Sequence, residues 1–243
     1  MFALYKKELS VFFSSLTGYI VIIVFLIASG LFMWIIPGQT NILDSGYSSI
    51  ETFFVLSPWV FMFLIPAITM RSFADEISSG TIELLLTRPI SDLSVVLAKY
   101  SAVLTISIMA IIPTFIYFIS VYNLGNPVGN IDIGGTWGSY IGLFLLAMVY
   151  TSIGIFSSLL TNNQIVAFIL SFMLIFMFFY GIDALGTVFS GTRTEYILQN
   201  FSINNHYKSI SRGVVDTRDL VYFISLSVIF ILMTKFKLQS RKW

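Results

Sequence analysis

Residues 52–71 read TFFVLSPWVFMFLIPAITMR, and residues 75–92 read DEISSGTIELLLTRPISD. The first stretch has one charged side chain, at its last position, whereas the second has five in eighteen positions. A second apolar stretch follows directly. About 20 apolar residues are enough for a helix to cross the hydrocarbon core of a bilayer. The pattern therefore predicts two membrane-spanning helices joined by a short polar loop.

The composition of the whole chain indicates an integral membrane protein. Of its 243 residues, 57% are hydrophobic and only 10% are charged, and the mean hydropathy is +0.90. Soluble domains are about 45–50% apolar and about 25% charged. The net charge of +1 and the lack of a dense Lys/Arg run argue against nucleic acid as a partner.

Apolar stretches of the required length recur along the chain. We predict an all-α integral membrane fold with six transmembrane helices, at residues 18–36, 52–71, 94–122, 137–160, 165–185 and 217–236. The last is the weakest, because its uninterrupted apolar run covers only residues 220–233. Pro58, Pro66 and Pro113 lie inside spans, where proline is expected to kink a helix.

The distribution of basic residues predicts the orientation of the spans. Cytoplasmic segments carry an excess of Lys and Arg. With both termini inside, the cytoplasmic side holds Lys6, Lys7, Arg71, Arg88, Lys99, Lys235, Lys237, Arg241 and Lys242. The other side holds Arg193, Lys208, Arg212 and Arg218. The excess favours an N-in, C-in topology, with residues 72–92 in the cytoplasm.

Residues 2–16, FALYKKELSVFFSSL, precede the first span. On a helical wheel, one arc of about 100° contains the side chains of Phe2, Tyr5, Leu9, Phe12, Phe13 and Leu16. This pattern predicts an amphipathic helix that lies in the membrane interface. The alternative is an extension of the first span into the cytoplasm, which would leave an aromatic face in water.

Few residues in the spans are suited to catalysis or ion coupling. The chain has no cysteine and one histidine, and it contains no Walker-type GxxxxGK[ST] motif. Lys99 is the only Asp, Glu, His, Lys or Arg that lies more than three positions from the end of a predicted span, and it is expected to extend to the interface. Ion-driven transporters generally need intramembrane carboxylates or histidines. Any energy for transport is therefore expected to come from outside the membrane.

Two further features lie away from the 72–92 loop. Gly138 and Gly142 form a GxxxG pair that can bring helices close, although such spacing also arises by chance. For residues 186–216 we predict a long outer loop with short amphipathic helices. His206 in this loop is read as a surface histidine beside Tyr207, with a pH-sensitive contact as the alternative.

The 72–92 loop contains its own helix signals. Ser78, Ser79 and Gly80 break the chain, and Gly80 or Thr81 can cap a short helix over residues 82–87. The Arg88-Pro89 pair ends it, because a residue before proline is pushed out of the helical region. So short a helix is not stable alone. Its Ile82 and leucines 84–86 must pack against the membrane surface or a groove in another protein.

The segment EISSGTIELLLTRPIS resembles the cytoplasmic loop of ABC-2-type exporter permeases, whose pattern is roughly E-x-x-x-G-T-x-E-x-L-L-x-x-P-I. In that family the loop contains a coupling helix that docks on a separate ATPase. The resemblance assigns ATPase docking to Glu76, Gly80, Thr81, Glu83, Leu84, Leu85, Leu86, Arg88 and Pro89. The segments YKKEL, SPW, NNQIVAF and SRGVVDTRDLVYF extend the resemblance over most of the chain.

The stretches running from NILDSGYSS to TRPIS, and YNLGNPVGNID, are similar to the permease subunit of the gliding-motility-associated ABC transporter. The resemblance implies a multi-pass protein of the bacterial inner membrane with no cofactor of its own, since ATP and Mg²⁺ bind the ATPase. It implies a second permease subunit, in a hetero-oligomer whose other permease can carry a large extracytoplasmic domain. The competing hypothesis is a non-transporting membrane scaffold or energising component of a motility or secretion assembly.

Overall fold

A computed structural model describes residues 1–86, 90–189 and 191–240, and no β-strand occurs among them. The chain forms fourteen α-helices in these ranges: α1 (Phe2–Ser14), α2 (Leu16–Gly30), α3 (Ile42–Ser45), α4 (Glu51–Thr69), α5 (Arg71–Ser78), α6 (Thr81–Leu86), α7 (Asp92–Ile111), α8 (Phe115–Leu124), α9 (Ile133–Leu160), α10 (Gln164–Phe176), α11 (Ile182–Val188), α12 (Arg193–Phe201), α13 (Ile203–Ser211) and α14 (Thr217–Gln239).

The prediction of six spans is confirmed. Six helical stretches are long and apolar enough to cross a membrane: Gly18–Ile35, Glu51–Ser78, Asp92–Leu124, Ile133–Leu160, Gln164–Val188 and Thr217–Gln239. Spans one and five each include a π-helical turn, at Leu31–Ile35 and Met177–Gly181. Pro113 lies in a 3₁₀ turn between α7 and α8, whereas Pro58 and Pro66 lie inside the continuous α4.

Successive spans alternate in direction, so the connections fall at two ends of the bundle. The α6 end holds α1, α5, α6 and the turn before α10. The α13 end holds α3, the connection between α8 and α9, and α11 to α13.

The N-terminal helix is separate from the first span, because Ser15 is extended between α1 and α2. α1 packs along α7, and the Tyr5 hydroxyl lies 3.0 Å from Thr105 Oγ1. Tyr5, Leu9 and Phe12 pack partly against the protein core. Part of the predicted membrane-facing arc therefore contacts the protein, while Phe2 and Leu16 remain exposed.

α9 is the central helix of the bundle and packs against α4, α7, α10, α13 and α14. Small residues on α9 allow this close approach. At Gly154, an added Cβ would lie 2.3 Å from Thr69 Oγ1 of α4. One turn later, Ser158 Oγ accepts hydrogen bonds from the backbone N–H groups of Phe73 and Ala74 and donates one to the Met70 carbonyl. These contacts fix the position at which α4 passes into α5.

We expect Gly154→Ala to destabilise the protein, because the new methyl group has no space beside Thr69. Overpacking of this kind costs about 1–3 kcal/mol. The measurement is the melting temperature of the purified protein in mild detergent. Gly181→Ala is the matched control, since its Cβ would meet nothing closer than 3.6 Å. Equal melting temperatures for the two variants would contradict the close α4–α9 contact.

Candidate functional site

The loop predicted at residues 72–92 is an extension of the second span followed by a separate short helix. α5 ends at Ser78, and Gly80 adopts φ +70°, in the left-handed region that favours glycine. Ser79 Oγ donates to the Asp75 carbonyl at 2.7 Å and lies 2.9 Å from Thr81 Oγ1, at the start of α6. The predicted break at residues 78–80 is therefore present, and α6 begins at Thr81.

α6 is held to the protein by Ile82, which is buried in the core, while Thr81 and Glu83 are exposed. Ile77 and Ile90, on either side of α6, pack partly against the same core. The predicted contacts of Leu84, Leu85 and Leu86 lie outside the described side chains, and Arg88 and Pro89 lie outside the described residues. Ser91 caps α7 by accepting from the Ser94 N–H.

A buried ion-pair cluster lies directly beside this segment. The Lys99 ammonium of α7 is 2.9 Å from Glu76 Oε1 of α5 and 3.2 Å from Glu8 Oε1 of α1. It also donates to the Ser72 carbonyl at 2.7 Å, and it lies 5.0 Å from the centre of the Phe73 ring. Lys7, on the outside of the cluster, is 3.6 Å from each of the two carboxylates.

The prediction that Lys99 extends to the interface is wrong. Its side chain is 1% exposed, compared with 10% for Glu8 and 15% for Glu76. An ammonium group can be buried to this degree because two carboxylates and a carbonyl replace its water ligands. The resemblance assigns Glu76 to the docking surface, but its Oε1 atom is held in this ion pair. Its direct contact with an ATPase stays a prediction.

The cluster connects three elements that are distant in sequence. Glu8 belongs to the N-terminal helix, Glu76 to the segment that leads into α6, and Lys99 to the third span. Removing one member of a buried pair leaves an uncompensated charge, at a cost of roughly 3–5 kcal/mol. α1, α5 and the start of α7 are thus held together by one set of buried charges.

A polar contact also joins α5 to the fifth span. The side-chain amide of Gln164, at the start of α10, donates to the Asp75 carboxylate. Asn163 caps α10 by accepting from the N–H groups of Ile165 and Val166. α5, which leads into α6, is therefore connected to spans three, four and five through Lys99, Ser158 and Gln164.

The GxxxG glycines lie at the α13 end and face α13 rather than another span. A Cβ on Gly138 would lie 2.6 Å from the Ile210 carbonyl oxygen, and a Cβ on Gly142 would lie 3.3 Å from the Tyr207 ring. Tyr207 is buried and donates to the Phe54 carbonyl at 2.8 Å. Burial raises the pKa of its hydroxyl well above the usual range. The glycines thus let α13 pack into the bundle.

The reading of His206 as a surface residue beside Tyr207 is wrong. His206 Nδ1 is 2.6 Å from Asp219 Oδ1, and Nε2 is 2.9 Å from the Asn200 carbonyl. Its ring stacks on Tyr222 with 3.9 Å between the ring centres. Both ring nitrogens therefore lie within hydrogen-bond distance of an oxygen atom. The contact joins α12, α13 and α14.

Sequence reasoning missed Glu8 and Asp219 as partners of buried groups. A lysine inside an apolar span is itself a signal, because a buried ammonium needs a nearby carboxylate. Spacing did not show that the N-terminal helix would supply one. Within residues 1–86, 90–189 and 191–240, the structure holds no group of three His, Cys, Asp or Glu side chains that could bind a metal ion.

We expect Lys99→Met to lower the free energy of unfolding by about 3–5 kcal/mol, because Glu8 and Glu76 would be left without their buried cation. The measurement is the melting temperature in mild detergent, with the exposed Lys237→Met as the matched control. Adding Glu8→Gln and Glu76→Gln to Lys99→Met should recover part of the loss, since no uncompensated charge remains. A Lys99→Met protein as stable as the control would contradict the cluster.

Comparison with known proteins adds independent information. The family model described as ABC-2 family transporter protein matches residues 2–235, nearly the whole chain. No curated protein matches the chain. The family is a membrane component of ABC transporters, associated with a separate ATPase subunit. With its six apolar helices, the chain therefore belongs to the ABC-2 transporter family, as a multi-pass membrane permease and not as the ATP-binding subunit.

Proposed function

We propose that this permease receives its ATPase at the 76–90 segment and passes the movement of that ATPase to the membrane spans through the Lys99 cluster. The observation that carries the proposal is the ion pair between Glu76 and Lys99, at 2.9 Å. Glu76 lies near the end of α5, just before α6, and the ion pair is shielded from solvent. A force on α6 would thus act on span three directly.

The described part of α6 is suited to docking a partner. Six residues make less than two turns of helix, which is not stable without tertiary contacts. Ile82 supplies one such contact on the permease side, and Thr81 and Glu83 remain available to a second protein. The family match supports an ATPase as that protein. ATP and Mg²⁺ would then bind the ATPase, and this chain would supply no ligand to either.

The same proposal sets the α6 end in the cytoplasm, where ATP is available. The excess of Lys and Arg in the segments at this end supports the N-in, C-in orientation. In a bacterium the membrane would be the inner membrane. α3, α12 and α13 would then lie at the outer face.

The finer identity rests on sequence resemblance alone. Residues 41–91 and 122–132 are similar to the gliding-motility-associated permease, which supports a hetero-oligomer with a second permease subunit that can carry an extracytoplasmic domain. In this assembly two ATPase copies would act on two permeases. A complex that hydrolyses ATP with no transported species would instead favour the scaffold hypothesis.

We expect Glu83→Arg to reduce the amount of ATPase that co-purifies with the permease by about tenfold or more, because a reversed charge at a docking surface opposes its partner. The exposed Glu83 makes no ion pair with the described residues, so folding and membrane insertion should be retained. The measurement is a pull-down of the intact permease in mild detergent. The matched control is Glu195→Arg on α12, at the α13 end. Unchanged co-purification of the Glu83→Arg protein would contradict docking at α6.

The orientation has its own test, because the native chain contains no cysteine. A membrane-impermeant maleimide applied to intact cells should label Val214→Cys, at the α13 end, and leave Ser79→Cys unlabelled. Both positions are exposed, so accessibility within the protein does not decide the result. Permeabilised cells should show labelling at both positions. Labelling of Ser79→Cys in intact cells would contradict the proposed topology.

A further inference from the structure

A cavity of about 520 Å³ opens at the α13 end of the bundle. Its walls come from the start of α4, the start of α9 and the last turn of α13. A volume of this size is within the usual range for small-molecule sites. The cavity is separate from the Lys99 cluster and from the His206 contact.

Four charged side chains line this cavity. Lys208 and Arg212 belong to the α13 wall, whereas Glu51 and Asp132 belong to the walls formed by α4 and α9. Two positive and two negative charges therefore line one space. None of the four is within 4.0 Å of an opposite charge among the residues that the structure describes. The fold holds the two signs apart across the cavity.

The remaining polar groups of the lining are largely used within the protein. Ser139 donates to the Ser211 carbonyl, Thr136 donates to the Asp132 carbonyl, and Tyr207 donates to Phe54. Asp132 also caps α9 by accepting from the Gly135 N–H at 2.9 Å. The side chains of Lys208, Arg212 and Glu51 have no such contact in the described part of the chain. These three charged groups are available to a ligand.

The apolar side of the cavity is formed at the start of the second span. Ile50 and Phe54 are buried in its wall, and Val55 of the second span is 59% exposed. A ligand with a polar head in the cavity could therefore place an apolar tail along span two. A soluble ion would use the charged walls and leave this apolar side unfilled.

We infer that this cavity binds the headgroup of a zwitterionic phospholipid with a primary ammonium, such as phosphatidylethanolamine. Its phosphate contacts Lys208 and Arg212, and its ammonium contacts Glu51. A guanidinium and a lysine ammonium both bind phosphate oxygens through charge-assisted hydrogen bonds. A primary ammonium has three donors for carboxylate oxygens, whereas the quaternary ammonium of phosphatidylcholine has none. The inference does not depend on the proposed ATPase contact.

The test uses the purified full chain in mild detergent, titrated with phosphatidylethanolamine, phosphatidylglycerol or phosphatidylcholine. A ligand that binds the folded state raises the melting temperature, and at equal ligand concentration the tighter ligand raises it more. Phosphatidylethanolamine should bind most tightly of the three lipids. The double variant Lys208→Gln, Arg212→Gln should weaken that binding about tenfold or more, and Glu51→Gln should remove the preference over phosphatidylglycerol.

Arg193→Gln is the control, because Arg193 is exposed at the same end and does not line the cavity. The cavity variants should melt at the native temperature without added lipid, since the charges removed are exposed. Water-soluble phosphoethanolamine should compete only weakly with the lipid. If it competes as strongly as the whole lipid does, the site binds a free soluble ligand and the lipid assignment is overturned. Equal binding of the three lipids, or binding unchanged in the double variant, would also overturn it.

Discussion

The burial of the Lys99 ammonium is the constraint on which the α6 end of the protein depends. A cation that is 1% exposed needs partners that replace water. This chain supplies them from two places, the N-terminal helix and the segment after the second span. α1 therefore cannot be treated as a membrane anchor alone, because Glu8 ties it to the third span. The same requirement holds Glu76, and with it the start of α6, against the bundle.

The two ends of the bundle are built with different contacts. At the α6 end, charge pairs hold α1 and α5 to α7, and Ser158 holds the start of α5 to the central α9. At the α13 end, glycines 138 and 142 let α13 pack in closely, and His206 with Asp219 joins it to the sixth span. The α13 end also retains a polar cavity whose charges remain apart. In the proposed function the ATPase docks at the α6 end, and the inferred lipid site lies at the opposite end.

Much of the architecture could be predicted from the sequence, because it follows from local patterns. The six apolar stretches form six spans, Gly80 breaks the chain before α6, and Pro113 interrupts the α-helical geometry of the third span. The positions of Lys99 and His206 could not be predicted, since each depends on a carboxylate brought close by tertiary packing. Glu8 is 91 residues from Lys99. The apolar periodicity of residues 2–16 predicted an interfacial α1. That periodicity contained no information on which face of α1 would contact α7.

The most direct test of the central claim is the distance between α1 and the α6 segment. Spin labels at Ser10→Cys and Ser79→Cys, both exposed in a chain without native cysteine, report this distance by double electron–electron resonance. We expect a narrow distance distribution in the native background and a broad one in Lys99→Met, because the cluster that holds α1 and α5 together is lost. A distance distribution that stays equally narrow in Lys99→Met would contradict the claim that the Lys99 cluster holds these elements together.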